Sequence, residues 1–176
     1  WRGSFVVTGL IGFAWVTVWF WYFRDDPKEH PSCTKEELAL LRKAITMTCE
    51  AEKELMRALT PGMTEYESEA IIEFFFKANG AEDVGFASIL GSGENSCVLH
   101  YVTNRKHLDN PELIVSDVGA EYHGYTADVT RTIPVTGKYS QEQRAIYNIV
   151  YEAQEAGIKH CLKGKPFYAP HRAAVE

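Results

Sequence analysis

Charged and apolar positions divide the chain into two parts of different character. Ser4–Phe23 contains no charged side chain. As a helix such a segment would span about 30 Å, the thickness of a bilayer core. Its aromatic residues concentrate at Trp19–Phe23, as in an interfacial belt. We therefore predict a transmembrane helix within residues 1–24, followed by a charged, proline-containing linker over 25–36; a buried helix of a soluble protein is the alternative.

After the linker, three segments carry apolar residues at helical spacing. Thr34–Glu37, Thr64–Glu67 and Ser140–Gln143 each have the form of a capping box, which begins a helix. We expect the following residues to face inward: Leu38, Leu41, Ile45, Cys49 and Met56 in the first helix; Tyr66, Ala70, Phe74 and Ala78, beside Ile71 and Phe75, in the second; Ile146, Ile149, Val150, Ala153 and Gly157 in the third.

Short apolar runs between the second and third helices predict β-strands. Phe86–Leu90 and Val98–Tyr101 fit single strands, the latter containing His100. Leu113–Val135 fits an antiparallel hairpin, because β-branched and apolar residues fill both ends and Glu121–Gly124 has turn chemistry. Helices that alternate with antiparallel strands predict an α+β domain over residues 37–176.

Two carboxylates of the hairpin are the candidate chemistry. Folding the hairpin symmetrically about Tyr122–His123 places Asp117 opposite Asp128, with side-chain roots roughly 5 Å apart. Facing carboxylates repel, and burial makes the repulsion more costly, so such a pair usually holds a cation or shares a proton. Carboxylate oxygens suit Mn, Mg or Zn, and two metal ions about 3.5–4 Å apart fit between them. The competing interpretation is that Asp117 only ends a strand and Asp128 is a solvated edge residue.

Composition narrows the classes of function. The formal net charge is −6, and no basic patch indicates nucleic-acid binding. The four cysteines are far apart, without a Cys-x-x-Cys pair, which favours reduced thiols in a cytosolic environment. His100 is flanked by apolar residues, a pattern that by itself is more typical of a core histidine. We expect no catalytic or ligand role for Glu121, His107, His123, His160 or His171.

Two segments of the predicted domain resemble a known family. Ser116–Thr132 is similar to the signature hairpin of the Xaa-Pro aminopeptidase and prolidase family of metallopeptidases. Ile89–Tyr101 is similar to the segment that carries the family's substrate histidine, and the resemblance runs from about Arg42 to Glu176. It implies the pita-bread fold, in which helices cover one side of a curved antiparallel sheet. Only the first half of that fold would be in this chain.

The resemblance also implies an activity, the hydrolysis of the bond between a first residue and proline. The family holds two divalent metal ions, commonly manganese, with zinc or cobalt as alternatives; they activate a bridging water and polarise the scissile carbonyl. Asp117 and Asp128 match the two aspartate ligands, and His100 matches the substrate-binding histidine. One histidine and two glutamate ligands would lie beyond Glu176. We therefore expect no catalytic residue in this chain, weak metal binding and no activity for it alone.

Two other interpretations stay open. Residues 1–36 resemble the sixth transmembrane helix and following loop of major-facilitator organic-anion or hexuronate transporters. The chain would then be a transporter fragment joined to peptidase sequence near Ser32–Leu41, by fusion or by gene-model error. A metal-free pseudo-peptidase that acts as a binding module is the other. For a peptidase we expect a peptide partner with proline in second position, a cytoplasmic domain and a homo-oligomer when complete, with a membrane anchor at residues 4–23 if residues 1–24 belong to the protein.

Overall fold

The computed structural model describes residues 1–23, 33–109 and 111–176, so most of the predicted linker lies outside the described residues. The chain forms two compact units, Trp1–Leu38 and Ala39–Glu176. The predicted N-terminal helix is present in the first unit as α1 (Arg2–Tyr22), and none of its residues is buried. Among the described residues, α1 is the one helix whose length and apolar composition would allow it to cross a membrane.

Four further helices follow α1 in the part of the chain that the structure describes. They are α2 (Lys35–Ala58), α3 (Glu65–Ala78), α4 (Gln141–Lys159) and α5 (Ala169–Val175). All three predicted capping boxes form. In the first, the Glu37 carboxylate accepts from the Thr34 backbone N–H at 2.7 Å, and the Thr34 hydroxyl accepts from the Glu37 N–H at 3.1 Å. Thr64 and Ser140 make the same reciprocal bonds at the starts of α3 and α4.

The buried helix faces differ from the predicted apolar stripes. The buried face of α2 consists of Ala44, Met47, Thr48, Ala51, Glu52 and Leu55. The buried face of α3 consists of Glu65, Ser68, Ile72 and Phe76. The residues that the stripes placed inward but that are exposed are Ile45, Met56, Tyr66, Ala70, Phe74, Ala78, Ile146, Ile149 and Val150. The prediction was based on the spacing of the largest apolar side chains. The buried faces of α2 and α3 instead combine apolar residues with small and hydrogen-bonding ones.

Six short strands within residues 33–109 and 111–176 form two three-stranded antiparallel sheets, in the orders β1-β4-β5 and β2-β3-β6. The strands are β1 (Asp83–Val84), β2 (Ile89–Ser92), β3 (Leu113–Val118), β4 (Ala120–Tyr122), β5 (Tyr125–Thr126) and β6 (Val129–Pro134). The strand predicted over Phe86–Leu90 begins later, at Ile89. The strand predicted over Val98–Tyr101 is wrong, because a turn that follows the 3-10 helix over Gly93–Cys97 occupies this region.

The register of the hairpin also corrects the prediction. Asp117 pairs with Thr130 rather than with Asp128. The turn consists of His123 and Gly124, whose φ angles are 51° and 83°, as a two-residue type I′ turn requires. The predicted turn was centred one residue too early, so every predicted partner was displaced by two positions. Glycine adopts positive φ without a Cβ clash, which favours the observed turn.

An apolar core joins α2 and α3 to both sheets. Its members include Ala51 and Leu55 of α2, Phe76 of α3, and Ile114 and Val118 of β3. The second unit is therefore an α+β domain in which helices cover one face of antiparallel sheet, as predicted.

Candidate metal and substrate site

Strand β3 places Asp117 on the face of the sheet opposite the helices. Its side chains alternate, with Ile114, Ser116 and Val118 buried and the residues between them partly exposed. Asp117 lies in a cross-strand row between Ile89 of β2 and Thr130 of β6. The Asp117 carboxylate thus projects from a regular strand that is paired on both of its edges.

A pocket of about 290 Å³ brings the three predicted site residues together. Asp117, Asp128 and His100 line it, and its remaining wall consists of Phe86, Ala87, Ile89 and Val102. Asp128 lies two positions before Thr130, the partner of Asp117, just outside β6, and its carboxylate interacts directly with that of Asp117. The two carboxylates are therefore diagonal neighbours, which keeps them adjacent although the predicted direct pairing is wrong.

Strand pairing is interrupted beside the two carboxylates. Gly119 separates β3 from β4, and Ala127 and Asp128 separate β5 from β6. A Cβ atom at position 119 would lie 1.8 Å from the carbonyl oxygen of Ala127, so only glycine allows this approach of the two backbones. Because Ala127 directly precedes Asp128, the close approach helps to fix the position of the second carboxylate.

The surroundings of Asp117 are those of a cation ligand. Burial raises the pKa of its carboxyl group, the Thr130 hydroxyl lowers it, and the neighbouring Asp128 raises it further. The Asp117 Oδ1 atom is buried and has no hydrogen-bond partner. An unpartnered carboxylate oxygen beside a second carboxylate is a donor set suited to a hard divalent cation. The described residues contain no group of three or more ligand side chains, so these two fit part of a metal centre.

His100 reaches the pocket from a turn rather than from the predicted strand. Its φ angle is 56°, in the left-handed region that few non-glycine residues adopt. Its side chain lines the pocket together with the two aspartates. The other histidines considered from the sequence lie elsewhere: His107 at a bridge to Thr64, His123 in the hairpin turn, His160 at the end of α4 and His171 in α5.

Glu52 is a buried carboxylate that the sequence analysis missed. It projects from α2 and is 2% exposed. Its Oε1 atom accepts a hydrogen bond from the Ser116 hydroxyl at 2.8 Å, whereas its Oε2 atom is buried without a partner. Burial raises the pKa of Glu52 to about 7, against the opposing effects of Ser116 and Arg131. Its helical spacing from Thr48, another buried polar residue of the same face, was the available signal.

Two more buried polar residues, Glu65 and Asn104, were also missed. Asn104 is fully buried; its side-chain oxygen accepts from the Leu90 N–H at 3.0 Å, and its amide donates to the Ser88 carbonyl at 2.8 Å. Glu65 is fully buried in the first turn of α3. In the sequence it reads as an ordinary acidic residue of a capping box, so no local signal marks it.

Comparison with known proteins agrees with this geometry. Residues 39–176 match the profile of metallopeptidase family M24. The chain is 44% identical over 124 residues to the Xaa-Pro aminopeptidase of Escherichia coli, a match to 70% of this chain and 28% of that protein. It is 38% identical over 131 residues to the Xaa-Pro dipeptidase of Pyrococcus furiosus, covering 74% of this chain and 37% of that protein.

Solved structures give the same relationship. Pseudomonas aeruginosa aminopeptidase PepP superposes with a TM-score of 0.78 at 35% identity, over 81% of this chain and 32% of that chain. Zinc-substituted Escherichia coli aminopeptidase P in complex with product gives 0.70 at 43% identity, over 72% and 29%. The chain thus spans about a third of the length of these relatives. It belongs to metallopeptidase family M24, among the Xaa-Pro peptidases with the pita-bread fold.

Proposed function

We propose that the complete protein hydrolyses the peptide bond between an N-terminal residue and proline, as an aminopeptidase or dipeptidase. The observation that carries this proposal is the pocket in which Asp117, Asp128 and His100 meet. These residues lie in the part of the chain that is similar to proteins named Xaa-Pro aminopeptidase and Xaa-Pro dipeptidase. A peptide with proline in second position is the proposed substrate.

In this proposal each pocket residue has a defined task. Asp117 and Asp128 hold two divalent metal ions, manganese foremost, through oxygens that face the pocket. The metal ions, when bound, supply a water of lowered pKa and polarise the scissile carbonyl. His100 contacts the substrate from the turn above the sheet. The apolar wall, including Phe86, Ile89 and Val102, excludes water from the bound peptide.

Residues 37–176 are proposed to be the N-terminal part of the catalytic domain, with the remaining ligands supplied by sequence outside it. Two carboxylates alone hold a divalent ion loosely, because a tight site needs more ligands. The 176-residue chain is therefore expected to bind manganese weakly and to be inactive. Isothermal calorimetry with manganese measures this directly. Sub-micromolar affinity of the isolated chain would contradict the proposed division of the site.

The activity is tested in the complete protein with Asp117→Asn and Asp128→Asn. Each removes a negative ligand with little change of shape, and we expect the rate of Xaa-Pro dipeptide hydrolysis with manganese to fall more than about 100-fold. Asp109→Asn, at an exposed loop residue, is the matched control and should leave the rate unchanged. Full activity of Asp117→Asn would refute the proposed metal site. Absence of hydrolysis in the unaltered protein would instead favour the pseudo-peptidase interpretation.

Helix α1 supports a separate proposal about location. All of its residues are exposed, including Phe5, Ile11, Trp15 and Phe20, and it is long enough to cross a bilayer. We propose that residues 1–24, provided that they belong to the protein, anchor it in a membrane with the peptidase domain in the cytoplasm. Membrane fractionation before and after removal of residues 1–24 tests this. Release of the unaltered protein by a carbonate wash would contradict the anchor.

A further inference from the structure

The segment that carries His100 has almost no strand pairing of its own. Among the described residues between the end of β2 and His107, the 3-10 helix over Gly93–Cys97 is the only regular element. His100 and Asn104 both have positive φ angles, 56° and 50°. This region is uncommon for non-glycine residues, and two such residues within one short segment indicate that surrounding contacts stabilise its backbone. The position of His100 therefore depends on contacts made from outside the segment.

Glu65 supplies contacts on both sides of His100. Its Oε1 atom accepts from the Ser92 N–H at 2.8 Å, from the Ser92 hydroxyl at 2.8 Å and from the Asn95 amide at 3.1 Å. Its Oε2 atom accepts from the Tyr101 hydroxyl at 2.8 Å and from the Lys106 N–H at 3.0 Å. One buried carboxylate thus binds residues that precede and follow the turn, including the immediate neighbour of His100.

The hydrogen bonds around Glu65 favour the ionised form of its carboxyl group. Burial by itself raises the pKa of Glu65, but the hydrogen bonds from Lys106, Ser92, Asn95 and Tyr101 outweigh it and lower the pKa. Glu65 also lies in the first turn of α3, where the positive end of the helix dipole favours a negative charge. Charge-assisted hydrogen bonds of this kind are about twice as strong as neutral ones.

We propose that Glu65 is a positioning residue for His100, holding the turn over Gly93–Lys106 so that the imidazole faces Asp117 and Asp128. This inference rests on the proposed function, in which His100 contacts the substrate. Glu65 itself does not line the pocket; it acts through the backbone of the segment.

The hydrogen bonds of Glu65 suggest Glu65→Gln as the substitution that tests the proposal. Each oxygen of Glu65 accepts from a backbone N–H, and a backbone N–H cannot turn away. In Glu65→Gln one of the two acceptors becomes an amide donor, which then opposes the N–H of either Ser92 or Lys106 whichever way the amide is oriented. Glu94→Gln changes an exposed carboxylate of the same segment and is the matched control.

Hydrogen exchange of the 176-residue chain, followed by mass spectrometry, gives the first readout. In Glu65→Gln we expect the protected amides of residues 93–106 to exchange about 10- to 100-fold faster, because buried donors lose their acceptor. Protection of β3 and β6, and of the whole chain in Glu94→Gln, should stay unchanged. Unaltered exchange of residues 93–106, or equal acceleration in β3 and β6, would overturn the inference.

A double-mutant cycle in the complete protein gives the second readout. We expect Glu65→Gln to lower kcat/KM for a Xaa-Pro dipeptide at least about tenfold, and the double variant with His100→Ala to be no slower than His100→Ala alone. Additive losses of kcat/KM would show that Glu65 acts independently of His100. That result would overturn this inference but not the proposed function. If His100→Ala keeps full activity, the proposed role of His100 fails and the inference fails with it, whatever the exchange data show.

Discussion

The two sides of the candidate site are built by different means. Asp117 lies on a strand paired on both edges, and its neighbours Ile89 and Thr130 are fixed by main-chain hydrogen bonds. His100 lies in a turn whose position depends on side chains, chiefly Glu65 and Asn104. The carboxylate side is therefore set by backbone register, and the histidine side by buried polar contacts.

The carboxylate side and the histidine side should therefore be sensitive to different kinds of substitution. A strand tolerates changes in its outward side chains as long as the backbone pairing survives. A segment held by a few buried hydrogen bonds loses its place when a single acceptor is removed, because the donors left behind are buried without partners. The hairpin should therefore be disrupted by substitutions that disturb its backbone. The histidine segment should be disrupted by substitutions that remove its buried polar side chains.

The largest effect is expected from a backbone clash in the hairpin. In Gly119→Ala the new Cβ would lie 1.8 Å from the Ala127 carbonyl oxygen. The two backbone segments must separate to relieve this contact, and we expect the free energy of unfolding to fall by more than about 3 kcal/mol. Urea unfolding measures the change. Gly12→Ala, where a Cβ meets open space, is the control. Wild-type stability of Gly119→Ala would show that the hairpin is not held by this approach.

A nearly equal effect is expected on the histidine side. Asn104→Ala leaves the Leu90 N–H and the Ser88 carbonyl without their partners and places alanine at a φ angle of 50°. We expect a loss of about 2–3 kcal/mol in the free energy of unfolding. Asn148→Ala, on the exposed face of α4, should change it by less than about 0.5 kcal/mol. Equal losses of stability in the two alanine variants would show that the buried hydrogen bonds of Asn104 do not stabilise the fold.

The sequence predicts the hairpin better than the histidine segment for the same physical reason. Strand patterns and turn chemistry are local, so Leu113–Val135 was recognised as a hairpin and Asp117 and Asp128 as neighbours. The one-residue error in the turn arose because Tyr122–His123 and His123–Gly124 compete for the centre. The requirement for positive φ at both positions, which Gly124 meets, would have decided between them.

The histidine segment depends on contacts between residues far apart in the chain. Glu65 binds Lys106 across 41 positions, and no periodicity in either segment indicates the pairing. The pattern Val98–Tyr101 favours a strand on local propensity, and tertiary hydrogen bonds override that preference. The helix stripes failed similarly, since the buried polar residues Thr48 and Glu52 occupy positions that apolar counting assigns to solvent.

A smaller effect, dependent on pH, is expected from Glu52, whose carboxyl group accepts a hydrogen bond from Ser116 of β3. Glu52 has a pKa of about 7 in the folded chain and 4.5 as the reference value. The folded state thus binds this proton more tightly. The contribution of Glu52 to the free energy of unfolding is therefore complete below about pH 4.5 and is lost as the pH rises through about 7. Glu52→Gln removes this dependence.

We therefore expect Glu52→Gln, compared with the unaltered chain, to gain roughly 2 kcal/mol in relative stability between pH 5 and pH 8. Urea unfolding at both pH values, with a chelator present, measures the gain. Glu36→Gln, at an exposed residue of the same helix, should leave the pH dependence as it is. Parallel profiles for Glu52→Gln and the unaltered chain would mean that Glu52 does not keep its proton when folded.

The smallest effect is expected where the same chemical change is made on the carboxylate side. Asp128→Asn converts an exposed carboxylate to an amide, and it also relieves the repulsion that Asp128 exerts on Asp117. With metal removed, the free energy of unfolding should change by less than about 0.5 kcal/mol, since the backbone pairing of β3 and β6 does not use this side chain. Glu65→Gln, an identical replacement of carboxylate by amide, should disturb its segment strongly. A large loss of stability in Asp128→Asn would show that the ligand itself holds the hairpin together, and that side chains rather than register build both sides of the site.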